Sequence, residues 1–386
     1  MKLTIMKEHI IEGLQKAAGI IPARTGAAYL RSLWLKAEGE KLAIMSTDAN
    51  IEFTGQYAAS VMQEGLIGVQ GRAFVDLVRQ LPGGQMTLAL DDQSGNLVLE
   101  HEQGKRKYKF PVNDSTWFQS FSEFPLQNAV NWSADFLQEI IERVSFCISD
   151  DDNADAIGCL YMKSLGNGRI ECCGLNTHQF ALAAFTHEDL AVMLPPEGIL
   201  IQKKYVQEMK RWLGGLEEIE VNISEKRLYL RTGDGREMFS LPRSTYTYPD
   251  YMSFVSKISA ENISRLDADR RECMEALGRL SVFTTDNDRC AYLDLAETEL
   301  TLTTQGHDVG SADERLEVSY RGDIAKIAFP TRNLMDVLGH FTSARVTLSL
   351  TATEGPCGIK GKDDPDYLVI IMPMKMTDTT YYEEEA

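Results

Sequence analysis

The chain has 386 residues, 44% of them hydrophobic, and its 57 acids against 39 bases give a formal net charge of −18. That length exceeds one ordinary core and suits three domains of about 130 residues, while no apolar run approaches the roughly 20 residues that span a bilayer. The acid excess taken alone argues against nucleic acid, but binding depends on where charges sit, so the question is whether the 39 cations gather on one surface.

Domain one is expected over residues 1–126. Its start, Met1 to His9, has no apolar signal core. A first helix is predicted near Glu8 to Ala18, then strand-like runs at Ser32–Leu35 and Lys41–Met45. A second helix covers Arg72–Leu81, and strands follow at Thr87–Leu90, Asn96–Glu100 and Lys105–Phe110. The last is alternating and basic. It reads equally as an edge strand guarded by lysines or as one side of a charged interface.

Domain two is expected over 127–257. It opens on a helix from Ser133, a plausible N-cap, to Val144. The acidic run Asp150–Asp152 follows in a loop, then a second helix over Lys204–Leu213, a strand at Glu220–Ile223, and the closing Tyr248-Pro-Asp-Tyr251. Domain three is expected over 258–386. It has helices at Asp269–Leu280 and Arg332–Phe341, acidic strands near Glu297–Glu299, a strand at Val346–Leu350, and the ending Tyr367 to Met376. The polar tail 377–386 reads as disordered.

The second helices are one pattern written three times. Anchored on Phe74, Val206 and Leu334, offsets 0, 3, 4 and 7 form a buried stripe with one lapse, at Lys210. The anchors stand 132 and 128 residues apart, a period of tandem domains rather than of a short-repeat solenoid. A cation precedes each anchor by two residues: Arg72, Lys204 and Arg332. The first helices repeat too, anchored on Ile10, Leu137 and Cys273, and each carries a cation at offset 6: Lys16, Arg143 and Arg279. Arg79 and Arg211 add charge to two second helices, where the third has Gly339. Each domain therefore carries two helices whose outer sides hold cations.

Catalytic motifs are missing: there is no Walker loop, no GxGxxG after a strand and no HExxH. The seven cysteines, an odd number without CxxC and with Cys172 and Cys173 adjacent, read as reduced thiols of a cytoplasmic protein. No metal or other cofactor is expected. Two other readings remain: a triplicated scaffold with no DNA role, and a metal-dependent hydrolase built on Asp150, Asp151 and Asp152 with help from His178 or Asp189, although consecutive acids in a loop are more often simply solvated.

The length, the threefold repeat and the ending Ile371-Met-Pro-Met-Lys-Met376 resemble the bacterial DNA polymerase III beta subunit, the sliding clamp. The likeness runs from Met1 to Met376 and includes the Phe329–Phe341 segment with Met335-Asp-Val-Leu338, Tyr248-Pro-Asp-Tyr251, and Arg24 after the first helix. It implies an α+β clamp fold, three similar domains of two helices on antiparallel sheets, joined head to tail as a ring of two chains. It implies a non-catalytic processivity factor that encircles duplex DNA and docks the polymerase III alpha subunit, the clamp loader and repair proteins through short hydrophobic peptides.

By that resemblance the DNA-facing candidates are Arg24, Arg72, Arg79, Lys203, Lys204 and Arg211, joined by Lys16, Arg143 and Arg279 from their common phase. The ring contact would pair the edge strand bearing Lys105, Lys107, Tyr108 and Phe110 with Val282, Phe283, Asp313 and Glu314 of the other chain. The likeness tips the basic strand toward an interface. The peptide pocket would comprise His178, Phe180, Pro249, Met372, Pro373, Met374 and Met376; methionine walls suit a promiscuous pocket because they repack. Gln179 stands where the family often has Arg, Ala156 where a larger aliphatic is usual, and Lys375 where Arg is usual.

Overall fold

A computed structural model describes residues 1–23, 27–91, 93–102, 104–151, 154–284, 289–306 and 310–376. The chain forms two compact units. One comprises Met1–Ile141 and Asp189–Thr245, the other Glu142–Glu188 and Tyr246–Ala386. Eight α-helices occur among the described residues: α1 (Lys7–Ile20), α2 (Gly71–Gln80), α3 (Ala134–Ser145), α4 (Glu188–Met193), α5 (Lys203–Leu213), α6 (Met252–Ile258), α7 (Arg270–Leu280) and α8 (Thr331–Gly339). None is long and apolar enough to cross a membrane.

The apolar stripes fold as their spacing dictates. Ile10, Gly13, Leu14 and Ala17 are buried on α1, and Cys273, Ala276, Leu277 and Leu280 on α7. Caps set the starts. Ser133 Oγ accepts from Phe136 N at 3.2 Å, Gln70 from Ala73 N at 2.9 Å and Asp269 from Glu272 N at 3.0 Å, each satisfying one orphan amide. α8 ends at Gly339, two residues short of the predicted Phe341, whose ring is buried beyond the last turn. On α5 the buried face is wider than the stripe, since Tyr205 and Trp212 are buried beside Val206, Met209 and Leu213. The lapse at Lys210 is a half-buried stem at the edge of that face.

In the first unit a continuous antiparallel sheet of thirteen strands carries α1, α2 and α5. Along Lys41–Thr47, Leu42 and Ile44 are fully buried and Lys41 is exposed, the alternation of a half-covered sheet. The sheet is continuous because Glu237–Pro242 pairs with Glu52–Ala58, Glu237 opposite Gly55 and Ser240 opposite Glu52. The second unit makes the corresponding pairing: Tyr367–Ile371 lies against Gln179–Thr186, Ala183 opposite Tyr367 and Gln179 opposite Ile371. By the expected repeat, each pairing sets the last strand of one repeat against a strand of the repeat before it. α3 spans the boundary between the units at Ile141 and Glu142. The second unit also holds a four-stranded sheet in the order Gly310–Glu317, Glu299–Gly306, Cys290–Leu295, Lys326–Pro330.

Candidate functional site

The cations that share one phase on the first helices each meet a carboxylate. Lys16 Nζ lies 2.7 Å from Glu237 Oε2, with side chains only 18% and 8% exposed. Glu237 Oε1 accepts from Tyr57 Oη at 2.8 Å, and burial together with Glu237 pushes that phenol far up. Lys16 also stands 5.8 Å from the Trp212 ring centroid. Arg143 Nη1 lies 3.4 Å from Asp364 Oδ1, and the Asp364 side chain is 0% exposed. Asp364 accepts from the amides of Thr342 and Ser343 at 3.0 and 2.9 Å and from both hydroxyls at 2.7 Å. Burial pushes its carboxyl up, but these hydrogen bonds outweigh burial and hold it below the usual carboxylate range. Arg279 makes a two-pronged pair with Glu314 at 2.7 and 2.6 Å, but its side chain is 59% exposed. The hydrogen bond from Arg279 lowers the Glu314 carboxyl, and that from Glu314 raises the Arg279 guanidinium.

The second-helix cations are more open. Arg72, Arg79, Lys204 and Arg211 are exposed and Lys203 half-buried. Arg72 Nη2 donates to Ile21 O at 2.7 Å, Arg79 lies 3.6 Å from Asp76, Lys204 stands 4.6 Å from the Tyr205 centroid, and Arg211 pairs with Glu208 at 2.7 Å. The first unit thus gathers Lys16, Arg72, Arg79, Lys203, Lys204 and Arg211 on three helices, with α1 against both α2 and α5. Arg143 and Arg279 lie in the other unit, and Arg24 lies outside the described residues.

Two strand edges carry opposite charge. Arg106–Asn113 pairs with Asn96–His101 along its length and meets Gly68 and Val69 only through Val112 and Asn113. Phe110 packs edge-on against Phe74 at 5.3 Å, Tyr108 is half-buried, Lys107 pairs with Glu100 at 2.8 Å, and Lys105 sits in the preceding turn. In the second unit Gly310–Glu317 is outermost in its sheet and carries exposed Asp313 beside Glu314. Val282 is 71% exposed there, and a β-carbon at Gly310 would stand 3.9 Å from the Phe283 ring, so all four candidates gather at this edge.

A third arrangement surrounds the ending. Asn176 Oδ1 accepts from the amides of His178 and Gln179, both at 2.8 Å, and His178 O accepts from Met372 N at 2.9 Å. Met374 N donates to Ala328 O at 2.8 Å, which holds Met372–Met376 as an extended arm. Met374 is 43% exposed, Met372, Pro373 and Met376 are half-buried, and His178 and Pro249 are exposed. Phe180 is 2% exposed and stacks on Tyr251 at 5.3 Å, so it is a bed beneath this surface rather than a wall of it. Tyr161 stacks on Tyr248 at 4.5 Å, and Tyr251 Oη donates to the buried Glu171 carboxylate. Burial pushes both Tyr248 and Tyr251 phenols far up. This aromatic bed escaped the sequence reading, although two tyrosines flanking Pro249-Asp250 were its signal. Ala156 is buried, and Gln179 is 9% exposed with its side-chain oxygen 3.5 Å from Asn176 Nδ2.

Of the acidic run, Asp150 and Asp151 are described and Asp152 lies outside the described residues. Among the described residues no group of three or more His, Cys, Asp or Glu could hold a metal ion. All seven cysteines are free and buried, and burial pushes the Cys172 and Cys173 thiols far up.

The fold is that of the DNA sliding clamps. A solved DNA polymerase sliding clamp from Caulobacter crescentus matches with a TM-score of 0.89 at 23% identity, covering 97% of this chain and 100% of that one. The DNA polymerase III subunit beta from Pseudomonas aeruginosa matches at 0.87 and 21%, with the same coverage. The beta sliding clamp of Pseudomonas putida is 26% identical over 384 residues, 97% of this chain and 100% of that protein. Residues 1–120 match the DNA polymerase III beta subunit, N-terminal domain, and residues 258–375 its C-terminal domain. The chain belongs to the DNA polymerase III beta subunit family.

Proposed function

We infer that this chain is a non-catalytic DNA sliding clamp, a processivity factor that encircles duplex DNA and tethers the replicative polymerase in the cytoplasm. The observation that carries the reading is the family match at both ends of the chain, 1–120 and 258–375. The hydrolase alternative finds no support in that family. We divide the chain into domains 1–126, 127–257 and 258–386, the last ending in the polar tail 377–386. The strand pairing made twice within the chain supports a third copy between chains: the basic edge Arg106–Asn113 of one against the acidic edge Gly310–Glu317 of its partner. A contact between unlike surfaces that repeats and closes gives a head-to-tail ring of two.

Inside such a ring Arg72, Arg79, Lys203, Lys204 and Arg211 would hold phosphate loosely, and phosphate contacts carry no sequence information, as sliding requires. Arg24 belongs to the same set by resemblance. Lys16 and Arg143 rank below them because each already holds a buried carboxylate. Short hydrophobic peptides of the polymerase, loader and repair proteins would dock on His178, Pro249 and the Met372–Met376 arm. Light scattering at micromolar concentration tests the ring: a dimer of about twice the 43.2 kDa chain mass is expected, and a strict monomer overturns it.

A further inference from the structure

The first unit holds a groove of about 490 Å³ that none of the roles above uses. Its floor is the outer face of the sheet, with Thr54 between the buried methionines Met45 and Met238 and Ala43 beside Met45 on the same strand. Its wall is the segment 118–126, where Phe118, Phe121 and Phe124 recur every third residue and Leu126 is 69% exposed. Phe118 is anchored edge-on to Trp34 at 5.3 Å, and Arg231 lies 4.4 Å from the Phe124 centroid. The volume falls within the range of built ligand sites.

The groove occupies the same place in its unit as the peptide surface in the other. In both, a segment leaving one repeat crosses strands that belong to two repeats, beside the antiparallel pairing at Glu237–Ser240 or at Tyr367–Ile371. The lining carries Lys36, Lys41, Arg231 and Arg236 against Glu38 and Glu123, an excess of cations in a chain of net charge −18. Lys36 is paired with Glu38, Arg231 with Glu220 and Arg236 with Asp234, whereas Lys41 Nζ reaches the amide oxygen of Gln56 at 3.4 Å.

We propose that this groove is a second docking site, for an extended acidic peptide segment of a partner protein that seats an aromatic side chain on Met45 and Met238. The inference rests on reading the Met372–Met376 surface as a peptide site. Flexible methionine floors accept varied side chains, and lysine and arginine rims select acidic flanks.

The test uses the full chain with ¹³C-methyl methionine and the capped peptide Asp-Glu-Phe-Glu-Tyr-Asp. Saturable shifts of Met45 and Met238 are expected, weakened at least tenfold in a Lys41→Glu, Arg236→Glu double variant whose remaining methyl spectrum is unchanged. A capped peptide with lysines replacing the acids is expected to leave both methyls unmoved. Unmoved Met45 and Met238 with the acidic peptide, or shifts indifferent to the charge reversal, overturn the proposal. Movement of Met372, Met374 and Met376 alone overturns the groove while leaving the peptide reading of the other unit intact.

Discussion

Lys16 and Arg143 hold the same phase on corresponding helices, yet the two units anchor them differently. In the first, Lys16 meets a carboxylate that a tyrosine also grips, on an aromatic floor of Trp212 stacked on Phe239 at 5.6 Å. In the second, Arg143 meets an aspartate that two backbone amides and two hydroxyls already saturate, and its own carbonyl accepts from Tyr367 Oη at 2.7 Å. The third cation of the series, Arg279, pairs instead with Glu314 on an outermost strand, its own side chain 59% exposed. The difference teaches that a shared helix phase marks where repeats are fastened together as well as where charge faces outward. A buried carboxylate must keep its partners, whereas an exposed pair contributes little.

The sharpest way to break this comparison is at Asp364. Replacing it with alanine removes the carboxylate that Arg143 meets and strands four donors, and a loss of about 3 to 5 kcal/mol in chemical denaturation is expected. Asp364 also sets an acid limit. Its folded pKa is depressed, so its stabilisation is present above the ordinary aspartate value near ~4 and disappears as pH falls through the lowered folded value. Wild-type stability measured below pH 4 should therefore fall more steeply than that of Asp364→Asn, and parallel curves would remove Asp364 from this role.

Glu237→Gln is expected to cost less, about 1 to 3 kcal/mol, because the amide still accepts from Tyr57 while Lys16 loses its counter-charge. Glu314→Lys should leave the unfolding midpoint nearly unchanged and weaken the dimer, read by sedimentation across a dilution series. An unaltered dimer would detach this edge from ring closure. The smallest effect belongs to Arg72→Ala with Arg211→Ala: if these cations hold phosphate as proposed, removing each should reduce the salt slope of DNA binding by about 1, uniformly across sequences.

Most of the stripe on the six repeated helices was legible because local periodicity fixes which face is buried; Leu334, Val337, Leu338 and Phe341 are buried as spaced, whereas on α2 Leu77 is half-buried and Val75 is buried beside Phe74 and Val78. The width of the α5 face was not legible, because Trp212 is buried by α1 and by Phe239, which local spacing does not reveal. Nor were the anchors of the cations: Glu237 lies 221 residues from Lys16, and no spacing rule links them. Phe180 joined the pocket set by resemblance, but its ring, 2% exposed and stacked on Tyr251, lies beneath that surface, a depth that local sequence does not reveal. The charge of the two edges was visible, while the pairing alone showed that Gly310–Glu317 is outermost in its sheet and that Arg106–Asn113 meets a second neighbour only through Val112 and Asn113.

The central claim is that closure around the duplex, rather than affinity, keeps this protein on DNA. Loading the protein onto nicked circular DNA and then cutting the circle tests it directly. Retention on the circle and loss on linearisation are predicted; equal retention on both would contradict the account.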